Sequence, residues 1–213
     1  MRTKPFVIGV SAIAGGGKST LVKSLVQQLD NATSIQFDHY ADDQTYPADI
    51  ATWLKNGADY NAFNTPKLAA DLQALCQGEP IISPQDGATI APASLIVFEA
   101  PLGYAHKATG QFIDFLVFVD TPLEVGLARM VLRWFADDED SANQAKIVES
   151  YLHGYLAMFR DLYLTMATKV KPVSDLVLDG LLSPELLTEK VMAALPPDKV
   201  EKRPSHINEQ VQK

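Results

Sequence analysis

The chain has a single cysteine, Cys76, which excludes an intramolecular disulfide and any cysteine-built metal cluster. Cys76 falls within an apolar helical pattern and reads as a small core residue. No apolar run approaches the ~20 residues that a membrane span needs. Basic residues are also scarce: 18 Lys and Arg stand against 26 Asp and Glu, for a net charge of −8. A polyphosphate backbone repels such a chain unless it concentrates a basic face, and no run of Lys and Arg supplies one. Nucleic acid and membrane are therefore not expected as partners. The four histidines, His39, His106, His153 and His206, show no metal-ligand spacing. No internal repeat is found.

What is present is ordinary globular composition, 47% hydrophobic and 21% charged, arranged as short apolar runs alternating with amphipathic segments. That alternation is the pattern of a parallel α/β sheet. Strands are expected at Phe6–Val10, Ser34–Phe37, Leu95–Phe98, Phe115–Val119 and Asp175–Leu178. Leu21, Val22, Leu25, Val26 and Leu29 recur at helical spacing after the first strand. Thr65 followed by Pro66 marks a helix start, and Gly78 can end that helix. Short apolar pieces around Asp86-Gly87 suggest a small hairpin within Pro80–Ile90. Thr121-Pro122-Leu123-Glu124 reads as a capping box opening the next helix. A long helical stretch is expected from about 142 to 167, and a last helix over Pro184–Leu195. From Pro196 the composition turns polar and loses its apolar period, the mark of a loosely packed tail.

Arg2 and Lys4 ahead of the mostly apolar Phe6–Ala14, with Ala12-Ile13-Ala14 at its end, superficially mimic a secretory signal. The same residues read better as a buried strand entering a glycine loop. A cytoplasmic location is the expectation.

The central motif is Gly15-Gly16-Gly17-Lys18-Ser19-Thr20, between that strand and the amphipathic helix. Glycines let backbone N–H groups turn inward around phosphate oxygens, since no Cβ blocks the approach. The helix that follows aims its positive end at the same anion. Lys18 can reach the β- and γ-phosphates, and the Ser19 hydroxyl can ligate Mg²⁺. These residues form the expected site for ATP with magnesium. Ala12 stands where the Walker A pattern has glycine, while the glycines that touch phosphate are kept. No Asn-Lys-x-Asp guanine-reading motif is present, and Leu95-Ile96-Val97-Phe98-Glu99 ends in one carboxylate rather than the pair usual in AAA-type ATPases.

Four segments, in order, carry a resemblance. Gly9-Val10-Ser11 leading into Gly17-Lys18-Ser19-Thr20, then Phe37-Asp38-His39-Tyr40, Tyr60-Asn61-Ala62-Phe63 and Ser174-Asp175-Leu176-Val177-Leu178-Asp179-Gly180 resemble the uridine kinase, nicotinamide riboside kinase and phosphoribulokinase group of P-loop kinases. The resemblance covers about residues 6–185. It implies a three-layer α/β sandwich with a roughly five-stranded parallel sheet, flanking helices and a helical lid. The implied organisation is a kinase domain over 1–195, with its lid near 127–150, and a polar tail over 196–213. The implied activity is transfer of the ATP γ-phosphate to a hydroxyl of a small molecule such as a nucleoside or riboside. Two other readings are a nucleoside monophosphate kinase, for which segment 38–63 offers only Lys55 as a basic group, and a regulatory ATPase without an acceptor.

The resemblance makes Asp38 the candidate base for the acceptor hydroxyl. Glu99, at a strand end on the same sheet edge, can hold magnesium through its water shell or act as the base itself. Arg129 and Arg133 share a helix face; they either close over the transferring phosphate or answer the acids Asp137-Asp138-Glu139-Asp140. Tyr40 and Trp53 are candidates to stack on an acceptor ring or sugar, or else they fill core. Asp86 resembles an acid that the family uses for substrate hydroxyls. The acidic run departs from the commonly basic lid of such kinases, and Glu99-Ala100-Pro101 departs from the Glu-Gly of uridine kinases. Acceptor identity and oligomeric state, a homodimer included, are left open.

Overall fold

The structure is a computed structural model that describes residues 4–137 and 141–199. The acidic residues 138–140 and the tail beyond 199 lie outside the described residues.

Five parallel strands form the central sheet: β1 Phe6–Ser11, β2 Ala32–Gln36, β5 Leu95–Glu99, β6 Phe115–Asp120 and β7 Leu176–Asp179. Their order is β2-β5-β1-β6-β7, with Val10 registered against Glu99 on one side and Val117 on the other. Period-two alternation sends successive side chains to opposite faces. Thus Val7, Ile96, Phe98, Leu116 and Phe118 enter one core, while Ile8, Val10, Leu95, Val97, Val117 and Val119 enter the other. Burial on both faces is why β1, β5 and β6 read as near-continuous apolar runs, whereas the edge strands β2 and β7 are only partly covered.

Helices cover both faces. On one, α1 (Lys18–Gln28) and α8 (Pro184–Ala194) bury Leu21, Val22, Leu25, Leu187 and Val191. On the other lie α3 (Pro66–Gln77), with Leu68, Leu72 and Leu75 fully buried, and α7 (Arg160–Lys169). The short helices α2 (Ile50–Lys55) and α4 (Lys107–Gly110) complete the segments around α3. A small antiparallel hairpin, β3 (Ile81–Ile82) with β4 (Thr89–Ile90), stands apart from the main sheet as the turn residues suggest. Among the described residues, no helix is long and apolar enough to cross a membrane.

Three local features differ from the sequence expectation. Helix α5 spans Leu123–Asp137, and its first hydrogen bonds run to the Pro122 carbonyl from Val125 and Gly126. The Thr121 hydroxyl therefore does not cap it; it donates instead to the Gly16 carbonyl at 2.9 Å. Thr65 likewise stands at the N-cap of α3 without making a side-chain cap bond. The long helix expected over 142–167 is α6 (Ser141–Gly154) continued into α7 through a π-helical turn at Tyr155–Phe159. A Cβ on Gly154 would sit 2.8 Å from the Phe159 ring, so the aromatic packs where only glycine leaves space. Phe159 in turn stacks on Tyr151 with ring centres 5.3 Å apart.

Candidate active site

β1 ends in the phosphate loop, and α1 starts from Gly17, whose φ of 97° lies in the left-handed region that glycine adopts without penalty. Gly15, at φ 69°, is left-handed as well, and a Cβ there would overlap the Gly126 carbonyl oxygen of α5. The loop is thus fixed against α5 on one side. Beyond Gly17 there is no atom within 4 Å of where a Cβ would stand, leaving backbone open to a ligand.

Charged and polar groups converge at the loop. Ser19 Oγ donates to Glu99 Oε1 at 3.2 Å, and Lys18 Nζ lies 3.8 Å from the same oxygen. Lys18 Nζ also donates to the Ile13 carbonyl at 3.2 Å. Burial pulls the Lys18 ammonium below the ordinary lysine value, with the Glu99 and Asp38 carboxylates acting against it. Burial pushes the Glu99 carboxyl above its ordinary value, and Lys18 opposes that shift. Glu99 is 1% exposed, and its Oε2 has no hydrogen-bond partner. A buried carboxylate oxygen without a partner is costly, and with the Ser19 hydroxyl beside it the pair offers hard oxygen ligands of the kind that magnesium takes. The residues present therefore fit a magnesium ion shared with bound phosphates.

The loop opens into a cavity of about 770 Å³. Gly15, Gly16, Gly17, Lys18, Ser19, Thr20, Asp38, Glu99, Arg129 and Arg133 all line it, so one space joins most of the residues singled out in the sequence. Arg129 donates to the Gly180 carbonyl at 3.1 Å, which links α5 to the turn after β7. Arg133 lies on the same helix with its guanidinium against the Met130 sulfur at 3.2 Å.

Three expected substrate contacts are elsewhere. Tyr40 is 1% exposed, and its hydroxyl is spent on Asp71 at 2.8 Å. Trp53 is buried, donates its indole N–H to the Asp59 carbonyl and packs edge-on against Phe63. Neither lines the cavity; both are core. Asp86 accepts from the Ala88 N–H at the turn of the β3–β4 hairpin, and borders a separate hollow of about 350 Å³ beside β2. Its carboxyl is held below the ordinary value first by Ser83 and then by that Ala88 bond, the behaviour of a turn-capping acid.

In their place the cavity takes Phe37, Tyr46, Tyr60 and Phe63 from the segment after β2, and Phe159, Leu162, Tyr163 and Met166 from the π turn and α7. The latter four recur at helical spacing, a signal visible in the sequence. It does not distinguish a cavity wall from ordinary core.

No family model matches the chain. It is similar to a uridine kinase of Brevibacillus brevis, 28% identical over 186 residues that make up 82% of this chain and 84% of the relative. A uridine kinase of Deinococcus deserti is 26% identical over 82% of this chain and 87% of its own length. One from Leuconostoc citreum is 24% identical over 92% and 99%. In sequence the chain is similar to uridine kinases, and it carries the phosphate loop of P-loop kinases. The fold agrees with a solved structure described as a fructose transport system kinase from Silicibacter sp. TM1040, with a TM-score of 0.52, 18% identity and coverage of 83% of this chain and 91% of that one. The uridine kinase-like chain is thus an ATP-dependent phosphotransferase acting on a small-molecule alcohol, in the three-layer α/β fold of P-loop kinases.

Proposed function

We propose that this kinase phosphorylates a hydroxyl of a nucleoside or riboside. The observation that carries this reading is the division of the cavity lining. Among its described residues the basic side chains are Lys18, Arg129 and Arg133, from the phosphate loop and from α5, which packs on that loop. The remaining lining is largely aromatic and aliphatic, suited to a flat, uncharged molecule. A nucleoside monophosphate would bring a second phosphate to a region without a cation of its own, which disfavours the monophosphate kinase reading.

Phosphoryl transfer requires positioning and charge neutralisation more than covalent chemistry. In this reading the loop N–H groups and Lys18 hold the ATP phosphates, and Arg129 and Arg133 meet the charge of the transferring group from α5, the lid side of the site. Ser19 and Glu99 would hold Mg²⁺, which when bound neutralises phosphate charge. Asp38 borders the cavity and is solvent-exposed; it accepts the proton of the acceptor hydroxyl as that oxygen attacks. Glu99 is the weaker candidate for base in this reading, because it is 1% exposed and its carboxylate is assigned, with Ser19, to Mg²⁺. A cytoplasmic location stays part of the proposal. So does the division into a kinase body over 1–195, with a lid near 127–150 formed of α5 and the start of α6, and a tail over 196–213.

The test is ADP release from Mg-ATP across nucleosides, ribosides, pantothenate and sugar alcohols, with Lys18→Ala as blank. A nucleoside or riboside that raises the rate in a Lys18-dependent manner is the expected result. A Lys18-dependent rate indifferent to every compound points to a regulatory ATPase instead.

A further inference from the structure

His106 is 1% exposed and does not line the cavity, yet both of its ring nitrogens are engaged. Nε2 lies 3.0 Å from the Phe63 carbonyl, and Nδ1 lies 2.7 Å from the hydroxyl of buried Thr109. A carbonyl only accepts, so the proton sits on Nε2. Burial holds the ring below the ordinary histidine pKa, so it is neutral at pH 7 and Nδ1 accepts from the Thr109 O–H. Tautomer and ring plane are thereby fixed from within α4.

The carbonyl that this ring holds belongs to a particular residue. Phe63 follows a short 3-10 turn, Tyr60–Ala62, in extended conformation, and its carbonyl takes its donor from His106 instead. The Phe63 side chain lines the cavity. It meets three other rings edge-on, those of Tyr46, Trp53 and Tyr60, with centroids 5.6, 5.3 and 5.9 Å away. Phe63 is thus the hub of the aromatic wall. One residue after His106, the Lys107 N–H donates to Asn61 Oδ1 at 2.9 Å. Two adjacent residues therefore grip segment 61–63 from outside the cavity. They belong to the connection that leaves β5, whose Pro101 and Leu102 line the same cavity.

Filling a core position does not call for a histidine, since an aliphatic side chain buries at lower cost. We infer that His106 is a positioning residue for the acceptor: by holding the Phe63 carbonyl, it sets where the aromatic wall stands relative to the phosphate loop. This rests on the nucleoside or riboside reading above and adds a determinant of acceptor affinity to it. Lys18 on α1, and Arg129 and Arg133 on α5, make none of these contacts. Acceptor and ATP affinities should therefore separate when the His106 bond is cut.

The experiment measures phosphate transfer from Mg-ATP to uridine by the wild type, His106→Gln, His106→Asn and Thr109→Val. Ligand-free thermal melting is recorded for each. Glutamine can place an amide N–H where Nε2 stands, whereas asparagine reaches only to Nδ1. His106→Asn is expected to raise the uridine KM about tenfold, with the ATP KM within about twofold of wild type. His106→Gln should bring the uridine KM back to within about threefold, although it gives up the Thr109 bond. Thr109→Val keeps its shape, releases only Nδ1, and should raise the uridine KM about two- to threefold.

A structural role alone would lower the melting temperatures and leave the ratio of uridine KM to ATP KM at its wild-type value, and that result overturns the inference. A glutamine variant as impaired as the asparagine one overturns it too. If His106→Asn does not fold, the other two variants decide: an unchanged uridine KM in Thr109→Val, or a rise of about tenfold in His106→Gln, overturns it. In each of these cases wild-type transfer to uridine spares the nucleoside reading. No transfer to uridine by the wild type overturns that reading for uridine and the inference with it.

Discussion

Ser19 Oγ donates to Glu99 Oε1 at 3.2 Å, joining the first turn of α1 to the carboxyl end of β5. The contact brings a hydroxyl and a carboxylate 80 residues apart in the chain into one oxygen-rich corner. It follows from sheet order: β5 lies directly beside β1, so the end of one strand faces the loop that leaves the other.

If that corner holds magnesium as proposed, the magnesium dependence should be sensitive to pH. Burial raises the Glu99 carboxyl above its ordinary value, so protons compete for its oxygens at higher pH than at an exposed glutamate. The Mg²⁺ concentration for half-maximal activity should rise as pH falls from about 7 toward about 5. Glu99→Gln should raise that concentration at every pH and flatten its pH dependence. Titrating Mg²⁺ at several pH values, with ATP saturating, checks both.

Asp38→Asn should separate binding from transfer. Loss of a general base typically costs about 10²–10⁴ in rate, and that range is expected for kcat with the true acceptor. ATP affinity, measured by calorimetry, should hold. Asp38 is exposed, so thermal stability should change by no more than about 0.5 kcal/mol.

Two loop glycines should respond differently to alanine. Gly15→Ala forces a side chain into the Gly126 carbonyl as well as a left-handed backbone. It should destabilise the fold by about 2–4 kcal/mol and abolish ATP binding. Gly17→Ala meets no neighbour and carries only the backbone strain, about 1–2 kcal/mol. Denaturant melts of the two variants give the comparison.

Tyr40 and Trp53 should prove structural. Tyr40→Phe loses the buried bond to Asp71, an expected cost of about 1–2 kcal/mol. The acceptor KM should not move, since Tyr40 is outside the cavity. A raised acceptor KM without loss of stability would return Tyr40 to the acceptor site.

Much of this architecture is legible in the residues themselves. The central strands β1, β5 and β6 announce themselves because burial on both faces leaves no polar alternation, and the glycine loop because its spacing serves one purpose. Pro66 and Gly78 bracket α3 through their fixed backbone preferences. What fails to show is whatever depends on distant packing. Thr121 looks like a cap, yet its hydroxyl is drawn 105 residues back to Gly16. Aromatics between 40 and 63 are plain to see, but which of them face the cavity depends on how that segment meets α7. Lys169 of α7 donates to the Gly57 and Ala58 carbonyls, a contact no local pattern encodes. The π turn at Tyr155–Phe159 re-aims Phe159 and has no periodic signature of its own.

The most direct measurement follows the phosphate itself. ATP labelled at the γ-position is incubated with the protein, Mg²⁺ and a nucleoside mixture, and the products are separated and weighed by mass spectrometry. A kinase of the proposed kind moves the label onto a nucleoside, whose mass rises by one phosphoryl group, and Lys18→Ala does not. Label recovered only as inorganic phosphate, with every nucleoside unchanged, would contradict it.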